Sequence, residues 1–132
     1  MFSADDSAPS LADIEAIATV ALKRIPDQLK RHVTDVVIRV EEFPDPETER
    51  EMALESPFDL LGLYRGVSMP ERSVMDSPSD LDMIFLYRRP LLDYWCESGE
   101  TLGGLVRHVL IHEIGHHFGF SDADMEAIEA GA

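Results

Sequence analysis

Cysteine occurs once in the 132 residues, at Cys96. No internal disulfide can form, which fits a reducing compartment. With no partner pattern around it, Cys96 reads as a small buried hydrophobe rather than a nucleophile. Positive charge is also scarce: 11 Lys and Arg stand against 26 Asp and Glu, for a net charge of −15. Nucleic acid and anionic membrane surfaces are therefore not expected partners, because both select a basic footprint. The few basic residues gather early (Lys23, Arg24, Lys30, Arg31 and Arg39), and none follows Arg107. Solvated helix ends account for such a cluster. No apolar run reaches the roughly 18 residues that would mark a bilayer span. The opening MFSADDSAPS has neither the basic nor the apolar region of a signal peptide. The expected location is cytoplasmic. Internal repeats and low-complexity segments are missing too.

What is present is enough for one core. A hydrophobic share of 45% in a chain of this length needs no disulfide or metal staple to fold. Residues 1–9 are small, acidic and polar and read as a flexible tail. Residues 10–132 read as a single domain. Ser10, with Asp13 three positions on, marks a helix start. Leu11, Ile14, Ile17, Ala18, Ala21, Leu22 and Ile25 then recur at helical spacing up to Pro26. Asp27 to His32 adds a further turn. The β-branched run Val36–Val40 is a strand. Glu41 to Asp59, with Pro44, Pro46 and Pro57, is a long acidic loop holding a short helix over Glu47–Leu54. Leu60–Gly66 is a second strand, with Gly62 marking a bulge or a close approach. Ser68–Asp80 is loop, Met83–Tyr87 is a third strand, and Leu91–Glu97 is a short helix. Thr101 opens a long helix, and Ser121 or Asp122 caps a last one over Asp124–Ala130. This order predicts an α/β (α+β) domain, a small mixed three-stranded sheet packed by helices.

The densest chemistry lies in Thr101–Asp122, TLGGLVRHVLIHEIGHHFGFSD. Leu102, Leu105, Val106, Val109, Leu110, Ile111, Ile114 and Phe118 cover most of that helix's circumference, the pattern of a buried helix. Ionisable groups inside it are costly unless paired or metal-bound. His112 and His116 stand four residues apart, so their imidazoles share one face and can bind one Zn²⁺. Glu113 points about a quarter turn away, toward a metal-bound water rather than the metal. Gly119 can take the left-handed conformation that ends the helix and turns the chain back. That turn could bring Asp122 round as a third ligand. Asp122 can instead serve as a helix cap, and Asp124, Glu126 and Glu129 are competing carboxylates. His108 lies one turn before His112, on a nearby face; it either lines the cleft or makes a structural hydrogen bond. His117 cannot share the metal from the same helix. Tyr64, Tyr87 and Tyr94 are candidate oxyanion donors, although core packing is the commoner use of each. Trp95 and Phe85 read as core.

HEIGHHFGFSD resembles the H-E-x-x-H-x-x-G-x-x-(H/D) signature of zincin metallopeptidases, with metzincin-like spacing. From about Leu11 onward, the chain more closely resembles the small bacterial zincin-like metallopeptidase family. LLGLYRGVSMPERS (Leu60–Ser73) and DMIFLYRRPL (Asp82–Leu91) share in the likeness. The resemblance implies a minimal zincin fold, one Zn²⁺ at His112 and His116, and Glu113 as base. It also implies an extended peptide or protein substrate laid against a sheet edge, either Leu60–Gly66 or Met83–Tyr87. Where larger metzincins have His as third ligand, this chain has Asp122. Met125 stands too close to the motif to form their Met-turn. The expected function is zinc-dependent hydrolysis of a peptide bond. The alternative is a non-catalytic, metal-stabilised protein-binding module with a relic zincin site.

Overall fold

Ser10 opens the first helix in the way its spacing predicts. Its hydroxyl accepts from the Asp13 N–H at 3.0 Å, and the Asp13 carboxylate accepts from the Ser10 N–H at 2.9 Å. Two helix donors that would otherwise lack partners are thus satisfied reciprocally. The computed structural model describes residues 7–33, 35–66 and 82–131. Most of the expected N-terminal tail, the loop over Ser68–Asp80 and the second half of LLGLYRGVSMPERS lie outside the described residues. Just before the first helix, the Pro9 carbonyl accepts from Arg88 Nε at 2.6 Å, which ties the end of the expected tail to the domain.

Helix α1 (Leu11–Lys23) buries Ile14 and Ala18, and the short α2 (Asp27–Lys30) buries Leu29. Lys30 Nζ donates to the Lys23 carbonyl at 2.8 Å. Part of the early basic cluster thus serves a helix C-terminus, where cations are favoured. Strand β1 (Val37–Glu41) is followed by α3 (Pro46–Glu51) and a 3-10 turn at Pro57–Asp59. Then come β2 (Gly62–Arg65), β3 (Met83–Tyr87), α4 (Arg88–Ser98), α5 (Leu102–His117) and α6 (Asp122–Gly131).

The sheet has the order β1-β3-β2, with β1 parallel and β2 antiparallel to β3. This is the expected mixed three-stranded sheet packed by helices. Met83–Tyr87 is the central strand, so of the two expected substrate edges only Leu60–Gly66 remains. Burial is consistent with its place: Ile84, Leu86 and Tyr87 are buried, and Met83 and Phe85 are partly buried.

Helix α5 is the spine. Thr101 caps it by accepting from the Gly104 N–H at 3.0 Å. Its buried residues are Leu102, Leu105, Val106, Val109, Leu110, Ile111, Ile114 and Gly115, packed against α1 on one side and β2 on the other. Gly62 is the point of closest approach. A Cβ there would stand 2.8 Å from Val109 Cγ1 and 3.0 Å from the Phe85 carbonyl oxygen. Gly62→Val is therefore expected to cost about 1–3 kcal/mol through overpacking. Urea unfolding measures this, and an unchanged midpoint would contradict the close packing of β2 on α5.

Candidate metal centre

His108, His112 and His116 recur every four residues along α5, so they line one face of it. Unlike the opposite faces, this one is not sealed. His112 and Glu113 are half-buried, and His116 and His117 are exposed. The expectation of a helix buried nearly all round thus fails along this stripe, which α6 borders. The cost of burying ionisable groups is correspondingly smaller than the sequence implies. A solvent path to the imidazoles takes its place.

The turn after α5 sets where α6 lies. Gly119 adopts φ +83°. Its N–H donates to the His116 carbonyl at 3.2 Å, and the Phe120 N–H donates to the Gly115 carbonyl at 2.8 Å. This is a Schellman ending, which favours glycine at the left-handed position. Ser121 then caps α6: its hydroxyl accepts from the Asp124 N–H at 3.0 Å, and Asp124 returns the bond at 3.1 Å. Asp122 is therefore not the cap, and its carboxylate is available for other work. Docking is close where Gly115 faces the buried Met125, whose Cγ lies 2.8 Å from where a Gly115 Cβ would be.

Two carboxylates of α6 face the histidine stripe. Asp122 Oδ1 lies 3.3 Å from His116 Nε2. Glu129 places Oε1 2.8 Å from His112 Nε2 and Oε2 3.0 Å from His108 Nδ1. Two triads result, His112–His116–Asp122 and His108–His112–Glu129, and within each the donor atoms lie within 4.8 Å of one another. The expected metal residues are thus brought together, although the Asp122 side chain is 88% exposed. Sequence reasoning named His108 and Glu129 but did not join them. The usable signal is spacing: Asp122 and Glu129 are seven residues apart and so share one face of a helix, and His108, His112 and His116, four residues apart in turn, share one face of α5. The hydrogen bonds from His108 and His112 outweigh the effect of burial on Glu129 and hold its carboxyl below the usual range.

Glu113 turns from the stripe toward β2. Burial pushes its pKa above the ordinary value, against a hydrogen bond from the Tyr64 backbone N–H and the charge of His116. The Leu61 carbonyl accepts from the Tyr87 N–H at 3.0 Å. By strand alternation, Leu63 and Arg65 face β3, while Gly62 and Tyr64 turn their peptide groups to the outer edge. Among the described residues no strand pairs with that edge. The Tyr64 ring stacks on His117 with centroids 4.0 Å apart, and its hydroxyl donates to Asp82 Oδ2 at 2.7 Å. Burial first, and then Asp82, pushes the Tyr64 pKa up. Of the other candidate oxyanion donors, Tyr87 is buried, with its pKa pushed up to about 12, and Tyr94 is exposed on α4. Cys96 is exposed rather than buried, because it falls on the outer face of α4. Trp95 is only partly buried, and its Nε1 donates to the Glu100 carbonyl.

The raised Glu113 pKa carries a stability consequence. A carboxyl whose folded pKa exceeds its unfolded one contributes fully below the unfolded value and loses that contribution as pH rises through the folded value. In metal-free protein, Glu113→Gln is therefore expected to raise the thermal midpoint at neutral pH. The gain should vanish below the ordinary value of 4.5. A midpoint lowered by the substitution at neutral pH would contradict the burial of this charge.

Among the described residues no helix is long and apolar enough to cross a membrane. A conserved hypothetical protein from Thermo thermophilus has a similar fold: the TM-score is 0.54 at 22% identity, covering 83% of this chain and 94% of that one. No curated protein matches the chain significantly. The model of a family described as zincin-like metallopeptidase matches residues 33–132, a span that takes in the whole sheet, α5 and α6. On that match the chain belongs to the zincin-like metallopeptidase family.

Proposed function

We propose that the chain is a zinc-dependent peptidase that hydrolyses a peptide bond within an extended polypeptide. One observation carries the reading: the donor atoms of His112, His116 and Asp122 gather within 4.8 Å, next to a glutamate directed at the outer edge of β2, with which no strand among the described residues pairs. The residues fit the ion. Two imidazoles and one carboxylate are a borderline nitrogen and oxygen set that suits zinc, and three protein ligands is the number used by catalytic sites. Other first-row divalent ions would bind the same set.

His112, His116 and Asp122 would hold the ion. When bound, zinc supplies Lewis acidity toward a carbonyl and toward water. Glu113 is the base. It takes a proton from the attacking water and returns it to the leaving amine. Its half-buried setting and raised pKa suit that exchange, since burial makes the carboxylate a stronger base toward the attacking water than an exposed glutamate. The Tyr64 N–H fixes the orientation of the carboxylate. An extended substrate can add along β2, where the Gly62 peptide and the Tyr64 carbonyl face outward.

Chelation followed by zinc restoration tests the proposal. The expected result is loss and recovery of peptide-library cleavage with unchanged circular dichroism. The contact of Glu129 with His112 Nε2 favours a second reading, a closed structural metal site in a binding module. Unfolding on chelation, with no cleavage at any zinc level, would support that reading instead.

A further inference from the structure

We propose a second divalent-cation site formed by His108, His112 and Glu129, which overlaps the H-E-x-x-H centre through His112 and competes with it for the ion. The proposal shares a ligand with the peptidase reading but does not require catalysis. The geometry is that of a carboxylate spanning two imidazoles, with contacts of 3.0 Å to His108 Nδ1 and 2.8 Å to His112 Nε2. The rings of His108 and His112 lie 4.1 Å apart at 37°, so both present nitrogens to the same carboxylate. The rings of His112 and His116 lie 5.8 Å apart at 76°.

Two histidines and a glutamate form a recognised catalytic-type zinc set. This triad is also the better ordered of the two. The Glu129 side chain is 24% exposed and already held at both oxygens, whereas that of Asp122 is 88% exposed. Ordering a free carboxylate costs conformational entropy, and Glu129 has largely met that cost before an ion arrives. The site remains reachable, since the His108 side chain is 45% exposed. Each hydrogen bond now uses an imidazole N–H or a carboxyl proton. A divalent cation takes the same lone pairs once those protons leave for solvent. An ion held here engages the His112 nitrogen that faces Glu129, leaving His116 and Asp122 without their partner. The chain would therefore carry one ion in either of two adjacent positions.

Cobalt titration of the full-length, metal-free chain, followed by visible absorption, reads the two sites separately. His116→Ala is expected to keep one equivalent of Co²⁺. Adding Glu129→Gln, which preserves the hydrogen-bond shape, is expected to weaken that binding at least about 100-fold. Circular dichroism of each variant checks the fold. If folded His116→Ala binds no Co²⁺, or if Glu129→Gln in that background leaves affinity unchanged, the second site does not exist. The peptidase reading is judged separately, by cleavage with wild-type protein. It fails if zinc-loaded wild type cleaves nothing, whatever the titration shows.

Discussion

Glu113→Gln is expected to lower peptide cleavage by about 10²–10⁴-fold while zinc stoichiometry stays as in wild type. The substitution keeps the size of the side chain and leaves an oxygen to accept the Tyr64 N–H, so the helix face and the β2 edge should not move. What it removes is the ability to take and return a proton. The loss should therefore fall on kcat, with KM little changed, since substrate affinity along β2 is unaffected. Full-rate cleavage by the variant would assign the proton transfer to another group and end the proposed role of Glu113.

The second large effect is expected at His112. It lies between His108 and His116 on the histidine stripe of α5, and its Nε2 lies 2.8 Å from Glu129 while its ring also neighbours His116. Both triads contain it. His112→Ala is therefore expected to weaken zinc binding more than His108→Ala or His116→Ala, by at least about 100-fold against wild type, with cleavage falling to background. His112 is not part of the buried core, so the variant should still fold. Competition against a fluorescent zinc chelator measures the affinities. Retention of wild-type affinity without His112 would contradict both metal positions at once.

Much of this was legible in local pattern. The capping box at Ser10 and Asp13, the apolar positions of α5, and the Gly119 ending all rest on chemistry within a few residues, and all are found. Gly62 within a strand pattern signals a bulge or a close approach, and the packing of Val109 decides for the latter. Strand order was not legible, because nothing local in Met83–Tyr87 tells a central strand from an edge. Its burial follows from the partners it meets at β1 and β2. Residue spacing on α5 alone puts His112 and His116 on one face and His108 on a nearby one. It could not say how far α6 folds back, which depends on Ser121 taking the cap and on Met125 seating against Gly115. Only that seating separates the roles of Asp122 and Glu129. For Cys96, composition predicts burial of a lone cysteine, whereas its position on α4 faces outward.

The most direct test is anomalous scattering at the zinc edge from crystals of the zinc-loaded chain. The expected result is one ion bonded to an imidazole nitrogen of His112, divided between the His116–Asp122 and His108–Glu129 positions, with the Glu113 carboxylate close by but outside the coordination. An ion that leaves His112 unbound, or one that takes Glu113 as a ligand, would contradict the account.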